Sequence, residues 1–155
     1  MEYETVELKE KKVIGIASRT NNHSPEMMNI IGGLWNKFYQ GGVYNEIPNK
    51  CTQTSLGIYS EYDGNQDDDY TVTVATEVSS IERIPADCVP LVIPAGKYAK
   101  FSVKTSMQKG FEDVGTLWLQ IWKTDLDRTF IADFEEYFAP ESDGSEIVNI
   151  YIGLK

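Results

Sequence analysis

The stretch that decides the fold is GLWNKFY at residues 33–39, together with a similar stretch, TLWLQIW, at residues 116–122. Apolar residues recur at helical spacing through and around both stretches, which predicts two amphipathic helices. Each predicted helix follows one strand pattern and precedes two more. The chain therefore repeats a βαββ unit, once in about residues 1–80 and again in about residues 90–155.

The strand patterns have clear limits in both repeats. Predicted strands span residues 6–18, 55–62 and 70–78 in the first repeat, and residues 90–103, 130–138 and 147–154 in the second. A turn near Lys11 and Lys12 breaks the first of these strands, and Pro94-Ala95-Gly96 interrupts the fourth. One βαββ unit leaves a hydrophobic sheet face half covered, so two units should share one core. We predict an α+β fold forming a single domain over residues 1–155, with an antiparallel sheet and two main helices on one face.

The composition is that of a folded chain with spread acidic charge. Its 155 residues include 14 Lys and Arg against 24 Asp and Glu, giving a net charge of −10. Nucleic acids and anionic membranes attract clustered basic residues, so neither is predicted as a partner. No apolar run has the length of a membrane span, and no signal-peptide pattern is present. With only Cys51 and Cys88 as thiols, we predict a cytoplasmic protein.

A single histidine, His23, restricts the available chemistry. Neither a multi-histidine metal site nor a Ser-His-Asp triad can be built from one imidazole. No glycine loop of the kind that cradles phosphates occurs either. We therefore predict no metal and no cofactor.

The phase of the strands suggests a face that carries polar and aromatic residues. Successive side chains point to opposite faces, so in the last strand Val148 and Ile150 lie opposite Tyr151. Matching Phe134 of the preceding strand to the apolar side places Glu135 with Tyr151. Adding 76 to the residue numbers of the first repeat aligns it with the second, so the same assignment of faces applies to the first repeat. The face opposite the helices should then present Tyr59, Glu61, Glu135, Tyr137 and Tyr151.

Two interpretations of that face stay open. Aromatic rings with one or two carboxylates suit a flat, hydrophobic cation, since each ring attracts it by about 0.5–2 kcal/mol. Tyr and Glu are equally ordinary on the water-facing side of an antiparallel sheet. The helix tryptophans, Trp35 and Trp118, are subject to the same choice, because each could pack in the core or line a cleft.

Three motifs, PAGKYAKF at residues 94–101, DFEEY at 133–137 and IYI at 150–152, accompany the duplication. Together they resemble the GyrI-like domain, also called the bacterial transcription-activator effector-binding domain, over nearly the whole chain. The resemblance implies a cleft between pseudo-twofold repeats that accepts hydrophobic, often cationic, aromatic compounds. It also implies that Glu135, in the Phe-Glu-x-Tyr segment, is the anionic residue of that cleft. Because no helix-turn-helix module fits before Tyr3, a stand-alone member is expected.

The leading functional prediction is a protein that captures hydrophobic or cationic aromatic small molecules. An alternative is a hydrolase of cyclopropane-type genotoxins, with Glu135 as general base and Tyr137 or Tyr151 as acid. A further alternative is a protein-interaction inhibitor of gyrase-inhibitor type. Enzymatic activity and oligomeric state stay open. The predicted ligand-binding residues are Glu135, Tyr137, Tyr151, Tyr59, Glu61, Tyr98, Trp35 and Trp118.

Overall fold

The computed structural model describes residues 2–155, which form one eight-stranded antiparallel sheet and three helices. The predicted α+β class, with both main helices on one face of the sheet, is confirmed. Within these residues no helix has the length and apolar character needed to cross a membrane. The first half contains β1 (Glu4–Leu8), β2 (Lys11–Thr20), α1 (Met27–Tyr39), α2 (Val43–Glu46), β3 (Ser55–Ser60) and β4 (Tyr70–Val78). The second half contains β5 (Val89–Ile93), β6 (Gly96–Ser106), α3 (Gly110–Lys123), β7 (Arg128–Tyr137) and β8 (Ser145–Leu154).

Each half is a ββαββ unit, which corrects the predicted βαββ unit. The strands predicted at residues 6–18 and 90–103 are each two separate strands. The first divides around Lys9 and Glu10, just before the predicted turn, and the second divides around Pro94 and Ala95, at the predicted interruption. At the second break Pro94 has no N–H to donate to the ladder, and Gly96 has φ of 150°. The chain therefore leaves one sheet position and re-enters the sheet elsewhere.

The two halves exchange their first strands. The strand order is β1-β6-β8-β7-β3-β4-β2-β5, so β1 pairs with β6 of the second half and β5 pairs with β2 of the first. The centre of the sheet is the β3–β7 pair, where Ile58 lies opposite Phe134. The halves are thus joined at the centre and at both edges.

The short links between exchanged strands require a curved sheet. β1 and β2 lie six strand positions apart, which is about 29 Å in a flat sheet. Only Lys9 and Glu10 separate these strands, and the three peptide units involved reach at most about 11 Å. The same restriction applies to β5 and β6. The sheet must therefore curl until each edge approaches the strands near the opposite edge.

The concave face of this curl forms one apolar core. Phe134 stacks on Tyr151 with ring centroids 4.7 Å apart, and Tyr98 packs on Phe134 at 5.9 Å. Residues from the edge strands β1 and β5 pack against the same cluster as residues from the central strands, as the curl requires. The cluster contains Val13, Leu56, Ile58, Ala75, Ile93, Tyr98, Phe134 and Tyr151, with Val6, Leu8 and Leu91 against it.

The convex face carries the two main helices. Helix α1 packs over β2 and β4, where Phe38 joins Ile14 and Val74 in a buried cluster. Helix α3 packs over β6 and β8, where Ile121 joins Ile150. The central strands β3 and β7 therefore lie between the helices, at the bottom of a cleft between the repeats.

The predicted assignment of faces was wrong for β7 relative to β8, and also for β3 relative to β4, where Tyr59 lies opposite Val72 and therefore faces the helices. Glu135 lies directly opposite Ile150, and Phe134 lies opposite Tyr151. Directly opposed residues in an antiparallel pair share a face. Glu135 thus faces the helices, and Tyr151 lies in the concave core. The error came from matching apolar to apolar residues, whereas a buried carboxylate stands among the apolar residues of the convex face.

We expect Phe134→Ala to lower the free energy of unfolding by about 3–5 kcal/mol, because it opens a cavity against Tyr151 in the concave core. Urea denaturation at equilibrium measures this change. Phe111→Ala serves as the matched control, since Phe111 is 75% exposed and its loss should cost less than about 0.5 kcal/mol. Equal losses in the two variants would contradict the assigned core.

Candidate functional site

A cavity of about 610 Å³ lies between α1 and α3, over the central strands. Its floor includes Tyr59 of β3 and Glu135 of β7, and its walls come from the helices. Exposed apolar side chains, such as Met28, Phe111 and Trp122, surround its mouth. The aromatic residues that line it are Trp35, Tyr39, Tyr59, Tyr62, Tyr70, Phe111, Trp118, Trp122, Tyr137 and Phe138.

Glu135 is the polar centre of the floor and is only 4% exposed. Its Oε2 accepts hydrogen bonds from the Trp118 indole N–H at 2.7 Å and from the Tyr59 hydroxyl at 3.0 Å. Its Oε1 accepts a hydrogen bond from the Tyr137 hydroxyl at 2.7 Å. Three uncharged donors from α3, β3 and β7 therefore fix the carboxylate at the bottom of the cavity.

Burial and hydrogen bonding act in opposite directions on this carboxylate. Burial raises the pKa of Glu135, whereas the hydrogen bonds from Tyr137, Trp118 and Tyr59 lower it by stabilising the charged form. Burial, and then the nearby charge of Glu135, raises the pKa of Tyr59 and of Tyr137 well above the ordinary value. Both hydroxyls therefore stay protonated and donate to Glu135.

Gly57 makes room for the carboxylate. It lies directly opposite Glu135 in the β3–β7 pair. A Cβ atom added there would be 2.7 Å from Glu135 Oε1 and 3.3 Å from Trp35 Cζ2. Gly57 is not among the predicted site residues, although a glycine inside a strand pattern is a signal of close approach.

The two helices contribute equivalent tryptophans to opposite walls. Trp35 of α1 packs edge-on against Tyr137 with ring centroids 5.0 Å apart, and Trp118 of α3 packs edge-on against Tyr59 at 5.3 Å. Gly32 and Gly115 also line the cavity, and a Cβ atom at either would meet no atom within 4 Å. These helix glycines leave space in the cavity walls.

The charges along the cavity are net negative. Arg128, Glu135 and Glu146 line it, and Arg128 Nη2 lies 2.7 Å from Oδ2 of Asp133, a fully buried carboxylate. Within residues 2–155 neither glutamate forms a salt bridge with a basic side chain. The same residues contain no group of three or more His, Cys, Asp and Glu side chains suited to holding a metal ion.

Five of the eight predicted site residues lie together in this cavity. They come from both helices and from both central strands, so the two repeats contribute to one site. Glu135 is predicted by the Phe-Glu-x-Tyr motif, whereas Tyr137 is predicted by strand phase and Tyr59 by the alignment of the two repeats. Strand phase assigned these residues to the face away from the helices, but all three lie on the face that the helices cover. The residues brought together are Trp35, Tyr59, Trp118, Glu135 and Tyr137.

The other three predicted residues lie outside the cavity. Tyr151 and Tyr98 belong to the concave core, where the Tyr98 hydroxyl donates to the carbonyl of Pro94 at 2.6 Å. Glu61 follows the end of β3 with φ of 51° and is exposed, and its carbonyl accepts a hydrogen bond from Arg19. The prediction for Tyr151 failed because the strand faces were assigned wrongly. The prediction for Glu61 failed because β3 ends before this residue.

The chain belongs to the family of integron-associated effector binding proteins, called Cass2, whose model matches residues 4–154. It is 28% identical over 151 residues to YobU, a candidate transcriptional regulator of Bacillus subtilis (strain 168), covering 94% of this chain and 92% of that protein. The resemblance to the effector-binding domain that the motifs indicated is thereby confirmed.

Solved structures show the same fold. The integron cassette protein VCH_CASS2, from the mobile metagenome of Vibrio cholerae, superposes with a TM-score of 0.78 at 24% identity, over 99% of this chain and 95% of that one. SAV2435, solved bound to tetraphenylphosphonium, superposes with a TM-score of 0.73 at 20% identity, over 100% and 94%. The EcmrR C-terminal domain superposes at 0.61 and 14% identity, over 100% and 99%.

Gly57→Ala is expected to destabilise the protein by about 1–3 kcal/mol, since the added methyl overlaps Glu135 and presses on Trp35. Gly33→Ala is the matched control, because a Cβ there meets no atom within 4 Å and alanine in a helix interior should stabilise by up to about 1 kcal/mol. Thermal and urea unfolding measure both changes. Effects of the same sign in the two variants would show that the space opposite Glu135 is not tight.

Proposed function

We propose that this protein binds hydrophobic aromatic cations in the cavity between the helices, with Glu135 as the counter-charge. Membership of an effector-binding family places the protein among those that recognise a ligand. The observation that carries the more specific proposal is the carboxylate of Glu135, which is buried on the cavity floor and held only by neutral donors.

A carboxylate in this setting favours a cation. Removing a charge from water is costly, and three hydrogen bonds offset only part of that cost. The donors to Glu135 are hydroxyl and indole groups, so they stabilise its charge without neutralising it. A cation in the cavity supplies the missing opposite charge in a medium where Coulomb attraction is strong.

The walls suit a large aromatic ligand. A volume of about 610 Å³ lies within the range of pockets that enclose drug-sized molecules. The faces and edges of Trp35, Trp118, Tyr59 and Tyr137 supply apolar area, and indole and phenol faces attract cations. Hydrophobic contact thus provides binding energy, and Glu135 provides selectivity for positive charge.

One structural neighbour supports this ligand class. SAV2435, which has the same fold, is bound to tetraphenylphosphonium, a cation whose charge is surrounded by four phenyl rings. A cavity with aromatic walls and a buried carboxylate has the properties that such a molecule requires. We therefore choose tetraphenylphosphonium as the first probe for this chain.

The alternative function, hydrolysis of a reactive ligand, would use the carboxylate of Glu135 as general base. This alternative stays a prediction. So do the gyrase-inhibitor type of protein interaction and the cytoplasmic location. Recovery of intact ligand after long incubation with the protein tests the hydrolytic alternative directly.

We expect tetraphenylphosphonium to bind and tetraphenylborate, its isosteric anion, to bind far more weakly, because Glu135 attracts one and repels the other. Glu135→Gln should reduce phosphonium affinity about 10- to 100-fold, which is the low end of the range for loss of one desolvated charge pair. The variant should keep its fold, since the Gln carbonyl can accept from Trp118 and Tyr59 while its amide donates to the Tyr137 hydroxyl. Calorimetric titration measures the affinities.

Glu136→Gln is the matched control for this experiment. Glu136 is the next residue along β7 but faces the other side of the sheet, where Asn149 and Tyr151 donate to it. Its loss removes the same charge from the protein without touching the cavity, and phosphonium affinity should stay within twofold. Equal binding of the cation and the anion, or equal losses in both variants, would overturn the proposal.

A further inference from the structure

We propose that Arg128 forms a second polar contact in the same cavity and binds a carbonyl-type oxygen of the ligand. The preferred ligands are then aromatic cations that also carry a hydrogen-bond acceptor a few bonds from the positive charge. This inference rests on the proposed function, because it concerns the other end of the same ligand.

The positive charge of Arg128 is already matched. Its side chain is 7% exposed and its Nη2 donates to Oδ2 of Asp133 at 2.7 Å. The carboxylate of Asp133 is held further by the Tyr62 hydroxyl at 2.7 Å and by the Gly153 N–H at 2.9 Å. Arg128 therefore does not cancel Glu135, and a cation can enter the cavity beside it.

The guanidinium has donors left over. It carries five N–H groups in a rigid fork, and among residues 2–155 its buried Nε finds no hydrogen-bond partner. Its Nη1 makes only a long contact, 3.4 Å, with Oε1 of Gln66, another residue lining the cavity. Since buried polar groups are normally paired, we expect these N–H groups to bind an acceptor that the ligand supplies.

The orientation of the guanidinium is fixed before any ligand arrives. It lies over the ring of Phe130, with its central carbon 4.2 Å from the ring centroid. Phe130 has φ of 55°, inside an irregularity of the β7–β8 register between Arg128 and Asp133. This bulge lets Arg128 turn back towards Asp133, five residues further along the same strand. A donor held in place loses little freedom when it binds an acceptor.

The chemistry favours a neutral oxygen acceptor. Because Asp133 already balances the charge of Arg128, a ligand carbonyl gains a charge-assisted hydrogen bond without introducing a further charge. The carbonyl would take the place of Gln66 Oε1 at Nη1. Asp133 and Glu135 are two residues apart on one face of β7, about 7 Å along the strand. The acceptor should thus lie a few bonds from the cationic centre.

Two phosphonium probes test this inference: (4-oxopentyl)triphenylphosphonium and (4-methylpent-4-enyl)triphenylphosphonium. They differ only in a C=O group in place of a C=CH₂ group. We expect the wild type to bind the ketone about 10- to 100-fold more tightly than the alkene, which is the size of one hydrogen bond to a charged donor. The ratio of the two affinities is measured by calorimetric titration within each variant.

Arg128→Lys keeps a positive charge for Asp133 but removes the fork, and should bring the ratio close to one. Arg19→Lys is the matched control, because Arg19 is exposed and lies outside the cavity, and it should keep the wild-type ratio. Gln66→Ala leaves the Arg128–Asp133 pair intact and removes the acceptor that competes with the ligand, so the ratio of affinities should rise. This variant tests the inference independently if Arg128→Lys fails to fold.

The outcomes separate the two proposals. Binding of both probes with a ratio near one in the wild type would overturn the role of Arg128 and leave the cation proposal standing. Failure of both probes to bind would overturn the cation proposal and this inference with it. A ketone preference that survives Arg128→Lys in a folded variant would assign the acceptor contact elsewhere.

Discussion

The shortness of two links between strands determines the curvature of the sheet, and the rest of the structure depends on that curvature. Lys9 and Glu10 on one side, and Pro94 and Ala95 on the other, connect strands that lie six positions apart in the sheet. A flat sheet would separate those strands by about 29 Å, more than twice the reach of the chain. The sheet must curl, and the exchanged strands close its concave face around one core. The helices then occupy opposite flanks of the convex face, which leaves β3 and β7 accessible between them.

The electrostatics of the site follow from that position. Glu135 lies in the part of the convex face that neither helix covers, so its carboxylate reaches the cavity while remaining 4% exposed. Neutral donors from both helix and sheet hold it, and Gly57 leaves space for it. Arg128 lines the same cavity, but its charge is matched by Asp133. The site therefore combines an anion that has no basic partner with aromatic walls, and the proposed binding of cations rests on this combination.

The helices and the central residue of the candidate site could be predicted from the sequence, because hydrophobic periodicity and motif order are properties of short stretches of chain. The helical period located α1 and α3, and the motif around Glu135 identified the central residue of the site. The assignment of faces failed at β7, since phase alone does not report which residues of two strands lie opposite each other. Strand exchange depends on pairing between distant segments and leaves no local pattern. The position of Arg128, on which its proposed role rests, depends on a bulge that turns the residue back to Asp133.

The pKa of Glu135, followed by carbon-13 NMR of its side-chain carboxyl, tests the central claim most directly. Assignment comes from the signal lost in Glu135→Gln. Without ligand, the account predicts a pKa above the ordinary value of a glutamate, because burial disfavours the charged form. With saturating tetraphenylphosphonium it predicts a lower pKa, because a neighbouring cation favours the charged form, and affinity should accordingly rise with pH through this titration. A titration curve that tetraphenylphosphonium binding leaves unchanged would contradict the account.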